Sequence, residues 1–321
     1  MQPSYLNLLK NGSLKEKADS ALKMLKNCEI CPRKCKINRL NDQKGFCKTG
    51  LKPVIYNYLP HFGEEPPISG TNGSGTIFFS NCNMGCIYCQ NYEFSQLNNG
   101  REVEFEDLAG FMLRLQDKKC HNINLVTPTH VMPQIINALY IAAQKGLKIP
   151  VVYNTGGYEL PEIIDFLNGV IDIYLPDMRY ADNEPAKKYS KTPDYPLYNQ
   201  TSIKKMHNQV GTASLDRNGI IIKDLIIRHL VLPENISGTK KIMEFIKNQI
   251  SKETYISLMS QYLPCFAAKD DHSLNRRITL AEYETAKEIM ADLGLNNGWI
   301  QESRGLERFA GINIKPDTEK L

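Results

Sequence analysis

The chain has 321 residues, of which 42% are hydrophobic, and its 39 Lys and Arg residues against 35 Asp and Glu residues leave a net charge of only +4. This length suffices for about two average domains or for one α/β barrel, so a large buried core is expected. A charge this close to balance argues against nucleic acid or an anionic membrane as the main partner. We therefore expect a small molecule or another protein as the substrate.

Charged residues run through the first thirty positions, and the most apolar stretch, residues 224–233, is interrupted by Arg228 and His229. We therefore expect neither a signal peptide nor a membrane-spanning segment, and a cytoplasmic protein. Cytosolic thiols stay reduced, so clustered cysteines indicate metal or redox chemistry more often than disulfides. Seven of the nine cysteines lie in two tight groups.

The N-terminal part combines a helical pattern with one of these cysteine groups. Residues 13–26 have apolar residues at helical spacing, and Ser13 with Glu16 predicts a capping box at the start. We expect residues 1–60 to form a module from this helix and four cysteines. The Gly- and Pro-rich residues 61–74 are either a linker or a loop packed over one end of a domain.

From residue 75 onward, short apolar strand patterns alternate with amphipathic helical patterns. Six strands are predicted, at 75–80, 123–127, 150–155, 170–176, 225–232 and 255–260. The helical patterns are at 104–117, 131–145, 159–168, 195–210 and 239–250, with a last helix from Leu280 capped by Thr279 and Glu282. Asn218-Gly219 predicts a hairpin turn before the fifth strand.

Strands joined by crossover helices form right-handed βαβ units and a parallel sheet. We therefore predict an α/β fold, a mostly parallel, partial (β/α)6 TIM-like barrel over residues 75–304. Residues 305–321 are predicted to form a C-terminal tail.

Three cysteines crowd into one short loop after the first predicted barrel strand, at Cys82, Cys86 and Cys89. Chemistry in α/β folds gathers at the carboxyl ends of strands. Three thiolates can hold three irons of a 4Fe-4S cube and leave the fourth iron open to a substrate or cofactor. The alternative is a closed cluster or a zinc site that Cys120 or Cys265 completes.

The spacing Cys82-x3-Cys86-x2-Cys89, with Tyr88 before the last cysteine, resembles the signature of the radical S-adenosylmethionine (SAM) superfamily. The surrounding NCNMGCIYCQNYEFSQ and the later LVTPTH and QYLPC resemble more narrowly the uncharacterised proteins similar to pyruvate formate-lyase activating enzyme. This resemblance covers roughly residues 28 to 302. It includes the aromatic Tyr88 as a residue at the cofactor site.

The resemblance implies that SAM chelates the open iron and that the reduced cluster splits it into methionine and a 5′-deoxyadenosyl radical. That radical removes a hydrogen atom from the substrate, while protein groups position the cofactor and exclude water. The resemblance also implies a low-potential electron donor such as flavodoxin or ferredoxin. In the narrower group it implies a partner protein that receives a glycyl radical.

The resemblance also assigns SAM contacts to side chains at strand ends. The Gly-Gly-Glu-Pro that meets the SAM amino group in activating enzymes is replaced here by residues 127–130. Thr127 and Thr129 are therefore the candidates at this position, and His130 is expected to face the substrate. Thr129 is equally a good N-cap for the helix that follows.

Three further strand ends match family positions. Asn154 and Thr155 stand before a glycine pair that resembles the third strand end, although such a pair is also a plain turn. Asp177 and Arg179 resemble an Asp-x-Lys pair near the SAM carboxylate, with a planar guanidinium in place of the ammonium. Arg228 is expected to meet SAM or an internal carboxylate such as Asp177, because an unpaired buried charge is costly.

The second cysteine group, Cys28-x2-Cys31-x3-Cys35-x11-Cys47, offers four thiolates, enough for a zinc tetrahedron or a second iron-sulfur cluster. Residues 26–52 carry a surplus of six positive charges, which is either a solvated face around a structural metal or a nucleic-acid-binding knuckle. An iron-sulfur cluster here can relay electrons to the catalytic cluster, whereas zinc cannot. The alternative to an enzyme is a non-catalytic iron-sulfur redox sensor or a metal-knuckle protein that binds nucleic acid.

Overall fold

The computed structural model describes residues 2–301. The predicted tail, residues 305–321, and the last three residues of the predicted barrel range lie outside the described residues. None of the helices in the described range is long and apolar enough to cross a bilayer.

Ten strands build the sheet of the described chain. They are β1 (Val54–His61), β2 (Ser74–Phe79), β3 (Arg101–Glu102), β4 (Ile123–Val126), β5 (Val151–Thr155), β6 (Ile173–Pro176), β7 (Ser214–Leu215), β8 (Ile221–Leu230), β9 (Tyr255–Met259) and β10 (Gly298–Ile300). Their spatial order is β10-β9-β8-β6-β5-β4-β2-β1-β3, with β7 paired to β8. All neighbours from β2 to β10 along this order are parallel, whereas β1 is antiparallel to both β2 and β3.

The predicted α/β fold with a mostly parallel sheet is therefore confirmed. All six predicted strands are present, as β2, β4, β5, β6, β8 and β9. In the described part of the chain the sheet is open, with β3 and β10 at its ends, so it is a partial barrel and not a closed one.

Eleven α-helices are present in the described residues. They are α1 (Tyr5–Lys10), α2 (Ser13–Met24), α3 (Pro66–Ser69), α4 (Tyr92–Ser95), α5 (Phe105–Asp117), α6 (Met132–Gln144), α7 (Pro161–Phe166), α8 (Asn183–Ser190), α9 (Tyr195–Val210), α10 (Thr239–Phe245) and α11 (Leu280–Asp292). The capping box of α11 is confirmed, since Thr279 Oγ1 accepts from Glu282 N and Glu282 Oε2 accepts from Thr279 N. The box predicted at Ser13 is wrong, because Ser13 is already helical and Gly12 takes the N-cap position in a left-handed conformation.

Helices α5, α6 and α7 follow strands of the parallel sheet and cover its outer face, where most of the core lies. In α5, Leu108, Phe111, Met112 and Leu115 recur at helical spacing and are fully buried. The predicted hairpin is also confirmed: β7 and β8 pair antiparallel, and Asp216 Oδ1 accepts the backbone N–H of Asn218 within the turn.

The Gly- and Pro-rich segment closes the inner side of the sheet at the amino ends of the strands. Ile68 of α3 is fully buried in one apolar cluster with Val152 and Ile173, and Asn122 Nδ2 donates to its carbonyl oxygen over 2.8 Å. Residues 61–74 therefore form a loop that packs over one end of the barrel. This was one of the two alternatives predicted for the segment. The domain boundaries at residues 60, 74 and 304 stay a prediction, and β1 crosses the first of them.

Candidate active site

The three-cysteine loop leaves the carboxyl end of β2 and is fixed to the end of α8. Gly85 N donates to Ser190 O and Ile87 N donates to Tyr189 O, both over 2.9 Å. Two backbone hydrogen bonds from one short loop to one helix hold its course. Cys82, Cys86 and Cys89 are thus presented at the strand end, where an α/β sheet carries its chemistry.

Each of the three sulfurs has a hydrogen-bond partner. Met84 N donates to Cys82 Sγ (3.3 Å), Ser190 Oγ donates to Cys86 Sγ (2.9 Å), and Cys89 Sγ lies 3.1 Å from Ser95 Oγ. Donors of this kind suit thiolate sulfurs and are one of the means by which proteins tune an iron-sulfur cluster.

Burial controls the protonation of these thiols. It raises the pKa of Cys82, and it raises the pKa of Cys89 to about 11, with the neighbouring Cys86 adding to both and Arg179 opposing. Metal binding to such thiols must release protons. In the described part of the chain, no three His, Cys, Asp or Glu side chains converge closely enough to hold a single metal ion. A 4Fe-4S cube binds each thiolate through a different iron and needs no such convergence, so the loop fits a cluster better than zinc.

Neither proposed fourth ligand approaches the open side of this loop. Cys120 lies beside Gly75 at the start of β2, the opposite end of the strand from the loop. Cys265 is nearer, since its Sγ donates to the carbonyl oxygen of Tyr88 over 3.4 Å. That contact places Cys265 against the backbone of the loop, and of the described cysteines only Cys89 lines the adjoining cavity.

A cavity of about 1030 Å³ opens next to the loop, at the large end of the range for small-molecule sites. Six of the predicted cofactor-site residues line it: Tyr88, Cys89, Asn154, Asp177, Arg179 and Arg228. The Tyr88 hydroxyl is bonded to the Tyr180 hydroxyl over 2.6 Å, so Tyr88 meets a ligand with its ring. Thr127, Thr129 and Thr155 are not part of the lining.

One ion-pair network runs along the cavity wall. Arg228 Nε donates to Asp177 Oδ1 (2.8 Å), Arg228 Nη2 donates to Asn154 Oδ1 (2.6 Å), and Arg179 Nη2 binds the other oxygen of Asp177. The internal partner proposed for Arg228 is therefore present, and the guanidinium also faces the cavity. Burial alone would lower the pKa of Arg228, but Asp177 and two glutamates raise it above its ordinary value, so Arg228 stays charged.

Arg179 has spare donor capacity. Its Nε atom is buried and has no hydrogen-bond partner among the described residues. An unpaired guanidinium N–H at the edge of a cavity calls for an anionic or carbonyl oxygen. The donor therefore fits the carboxylate of a ligand bound beside the three thiols.

The segment that replaces Gly-Gly-Glu-Pro turns its side chains away from this cavity. Thr129 Oγ1 and Thr155 Oγ1 both bind Glu159 Oε1, and Tyr153 OH donates to Glu159 Oε2 over 3.4 Å. The N-cap interpretation of Thr129 is wrong, since α6 begins after Val131 and has no side-chain cap. Thr127 has a left-handed φ of 63°, strained for a β-branched residue, and its N–H donates to Asn154 O.

His130 does not face the substrate cavity as expected. Its Nε2 lies 2.8 Å from the carbonyl oxygen of Ser80, and its ring borders the four-cysteine group instead. Adjacent residues in the turn after β4 point to different sides, so Thr129 and His130 cannot share one ligand. Burial lowers the pKa of His130 to about 3, with Arg39 adding to this effect.

The four cysteines of the N-terminal module surround one small enclosed cavity of about 10 Å³. Cys28, Cys31, Cys35 and Cys47 line it together with Arg39 and His130. Arg39 is fully buried and donates to the carbonyl oxygens of Gly50 and His130, which ties the module to the barrel. The structure thus places all four thiols around one cavity, although here too no three of the described side chains converge closely enough for a single metal ion.

Arg33, which lies between Cys31 and Cys35, connects the four-cysteine group to the three-cysteine loop. Its Nε donates to the carbonyl oxygen of Asn83, inside the three-cysteine loop, over 2.9 Å, and its Nη2 binds the carbonyl oxygen of Lys191. Four of the module's lysines, Lys34, Lys36, Lys44 and Lys48, are exposed instead. An exposed basic face fits both a solvated surface around a metal and a nucleic-acid-binding knuckle, so this choice stays a prediction.

A sequence profile of the Radical SAM superfamily matches residues 76–246, more than half of the chain. This chain is a member of the radical SAM superfamily. The match includes the three-cysteine loop and strands β4, β5, β6 and β8, which carry the predicted cofactor contacts. Members of the superfamily use a 4Fe-4S cluster and SAM.

Relatives of this radical SAM protein are found among sequences and solved structures. The uncharacterized protein MJ0674 of Methanocaldococcus jannaschii is 31% identical over 303 residues, which cover 91% of this chain and 82% of that protein. A radical SAM methyltransferase from Sphaerobacter thermophilus is 12% identical with a TM-score of 0.48, over 72% of this chain and 67% of that one. HydG, a maturase of the [FeFe]-hydrogenase, is 13% identical with a TM-score of 0.47, over 96% and 68%. Likenesses at this level do not bear on ligand or substrate.

Four polar residues around the site were not among those predicted from the sequence. They are Glu64 and Glu65, which line the large cavity, Glu159, which binds the threonines at two strand ends, and Ser190, which bonds to Cys86. The glutamates carried a usable signal, because two consecutive charges interrupt an otherwise uncharged Gly- and Pro-rich stretch. Ser190 carried none, since its contact with Cys86 spans 104 positions.

Proposed function

We propose that this radical SAM enzyme binds its 4Fe-4S cluster through Cys82, Cys86 and Cys89, cleaves SAM reductively and abstracts a hydrogen atom from a substrate in the adjoining cavity. The observation that carries the proposal is the arrangement of three hydrogen-bonded thiols at the end of β2 beside a cavity of about 1030 Å³. Of the described cysteines only Cys89 lines this cavity, and Cys265 Sγ is engaged with the carbonyl oxygen of Tyr88, which suits a cluster bound by three thiolates with one open iron.

When bound, the reduced cluster and SAM supply a 5′-deoxyadenosyl radical, the reagent that removes the hydrogen atom. The chain's own residues position the reactants. Arg179, with its free Nε, receives the carboxylate of SAM, and Asp177 fixes the orientation of both arginines. Asn154 and the ring of Tyr88 also line the cavity wall. Helix α3, which packs on the inner side of the sheet, keeps water out of that end of the cavity.

The finer assignment is to the proteins similar to pyruvate formate-lyase activating enzyme, with a glycyl-radical partner protein as the target. Two exposed apolar side chains on the cavity lining support a protein substrate, since Phe62 is 63% and Ile300 is 50% exposed. Apolar side chains around an opening suit a peptide that covers it during the reaction. Flavodoxin or ferredoxin is the proposed electron donor.

The N-terminal module is proposed to hold a second metal, as zinc or as an iron-sulfur cluster. Its contact with the catalytic loop through Arg33 supports the iron-sulfur form, in which the module relays electrons. Metal analysis of the purified full-length protein distinguishes the two. One zinc and four irons per chain would exclude the relay, whereas about eight irons would support it.

The catalytic proposal is tested by one anaerobic assay. Iron-loaded protein with dithionite is expected to release 5′-deoxyadenosine from SAM, and Cys86→Ala is expected to abolish the release. A fully iron-loaded wild-type protein that releases none would favour the redox sensor. Transfer of deuterium from a labelled candidate, either a glycine-containing peptide or a small metabolite, into 5′-deoxyadenosine identifies the substrate.

A further inference from the structure

Two consecutive carboxylates, those of Glu64 and Glu65, enter the large cavity from its closed end. They precede α3, whose Ile68 is buried against Val152 and Ile173 on the inner side of the sheet. The thiols lie at the opposite, carboxyl ends of the strands. The two glutamates line the side of the cavity formed by the segment before α3, here called the cavity floor, and from there Glu64 reaches Arg228 and Asn154 on the wall.

The contacts of this pair leave hydrogen-bonding capacity unused. Glu64 Oε2 lies 3.7 Å from Arg228 Nη1, and Glu64 Oε1 accepts a long hydrogen bond of 3.5 Å from Asn154 Nδ2. Glu65 is only 8% exposed, and its Oε2 has no hydrogen-bond partner among the described residues. A buried carboxylate oxygen without a partner is costly unless a ligand supplies one.

The charges on the cavity wall do not balance. Three carboxyl groups, of Glu64, Glu65 and Asp177, face two guanidinium groups, of Arg179 and Arg228, in the described lining. Asp177 already binds both arginines, and of the two glutamates only Glu64 pairs with Arg228, over 3.7 Å. Burial lowers the pKa of the remaining basic lining residue, His61, which therefore adds no charge at neutral pH.

Binding a proton to one of the glutamates reduces this imbalance. Burial raises the pKa of both Glu64 and Glu65, and Arg228 only partly opposes it. A ligand cation removes the same penalty and also supplies the N–H donor that Glu65 Oε2 lacks. An ammonium group does both, because it carries three donors and one positive charge.

We propose that Glu64 and Glu65 form a subsite for the protonated amine of the molecule that reacts beside SAM. This inference rests on the proposed function, since it assigns SAM to the thiol end of the same cavity. Asp177 links Arg179 to Arg228, and Arg228 in turn pairs with Glu64, so Arg179 and the glutamates lie at opposite ends of this chain of ion pairs. The amine at the floor therefore belongs to the second molecule, for which a cavity of this size has room.

The test uses the full-length protein and a matched pair of probes, n-butylammonium and 1-butanol. They have nearly the same size and differ in charge. Saturation-transfer NMR at neutral pH is expected to show amine binding to the wild-type protein at least about tenfold stronger than alcohol binding, because a charge-assisted bond is lost with the alcohol. Glu65→Gln is expected to weaken amine binding by about the same factor. Glu162→Gln, an exposed site on α7, is the matched control and is expected to change nothing.

Glu64→Gln is a second variant that keeps the test decisive if Glu65→Gln fails to fold, which far-UV circular dichroism reports. SAM binding to the iron-loaded proteins is measured in parallel by equilibrium dialysis, and both variants are expected to stay within about twofold of the wild type.

Equal binding of the two probes would overturn the proposal, as would amine binding that neither variant weakens. A SAM affinity that falls as much as the amine affinity would also overturn it, because the cation would then be that of SAM. The amine measurements need no cluster and no turnover, so failure of SAM cleavage would reject the proposed function separately.

Discussion

Arg228 and Asp177 form the central ion pair of the site, with Arg228 Nε donating to Asp177 Oδ1 over 2.8 Å. Asp177 also binds Arg179, so one carboxylate is shared by two guanidinium groups that are only 17% and 23% exposed. Removing one partner of a buried pair leaves uncompensated charge. We expect Asp177→Asn to lower the free energy of unfolding by about 3 kcal/mol in urea titrations.

A control for this substitution is Asp165→Asn. Asp165 pairs with Lys205 over 2.5 Å on the surface, where an ion pair is worth less than about 1 kcal/mol. Equal losses of stability for the two variants would contradict the central role of Asp177. SAM binding should separate them as well, since only Asp177→Asn frees the arginines from their fixed orientation.

Cys265 is the nearer of the two candidates for a fourth cluster ligand. Its role can be tested against that of Cys86. We expect Cys265→Ser to retain the iron content and SAM cleavage of the wild type, because its Sγ is bonded to the backbone of Tyr88 away from the cavity. Cys86→Ser should lose both. Iron analysis and a 5′-deoxyadenosine assay check the pair. Loss of cluster iron in Cys265→Ser would indicate a closed, four-cysteine cluster.

Most strands of the barrel could be predicted because β2, β4, β5 and β6 are buried along their whole length and read as short apolar runs. Strand β1, which lies between β2 and the short edge strand β3, could not, because its pattern of three buried and five half-buried residues, with Pro60 inside it, resembles a loop. Helix α8 was missed for a related reason, since Asn183 and Pro185 lie in its first turn and only three of its eight residues are buried.

The site residues also divide into those that local sequence spacing predicts and those that only tertiary packing brings together. Cysteine spacing is local and depends on one loop, so the three-thiol and four-thiol groups could be predicted from the sequence. The pairing of Glu64 with Arg228 spans 164 positions and depends on how α3 packs inside the sheet. The side to which a turn residue points is also set by tertiary packing, which is why His130 was assigned to the wrong cavity.

Ser190 is expected to tune the catalytic cluster. Its hydroxyl donates to Cys86 Sγ over 2.9 Å, and such bonds stabilise the more negative, reduced form of a cluster. Ser190→Ala should therefore lower the reduction potential at unchanged iron content, as measured by spectroelectrochemistry. Tyr180, which also bonds to Ser190, keeps Tyr88 as a partner. Ser202→Ala, which removes a buried hydroxyl bonded to Glu159 O, is the control and should leave the potential unchanged.

Gly45 is expected to be required for the four-cysteine site. A Cβ atom there would lie 2.8 Å from Cys35 Sγ and 3.0 Å from Cys35 Cβ, so Cys35 would have to move. We expect Gly45→Ala to lower the metal content of the module and the free energy of unfolding by about 1–3 kcal/mol. Gly110→Ala is the matched control, because its nearest neighbours are Arg114 guanidinium atoms at 4.0 Å and alanine suits the interior of α5. An unchanged second-site metal content in Gly45→Ala would refute the expectation.

Glu159 is expected to make stability depend on pH. Burial raises its pKa from 4.5 to about 7, although the hydroxyl groups of Thr129, Thr155 and Tyr153 oppose this by bonding to the carboxylate. The folded state therefore binds the proton of Glu159 more tightly than the unfolded state does. The stability from this proton is fully present below pH 4.5 and is lost as the pH rises to about 7, by on the order of 3 kcal/mol.

Glu159→Gln should remove this dependence, because the amide oxygen can accept the threonine hydrogen bonds without carrying charge. Unfolding free energies at pH 5, 6, 7 and 8 are expected to fall more steeply for the wild type than for the variant. Part of the slope should remain in both proteins, since burial also raises the pKa of Asp224 to about 7. Parallel curves for the two proteins would mean that Glu159 is ionised throughout, with its hydrogen bonds outweighing the cost of burial.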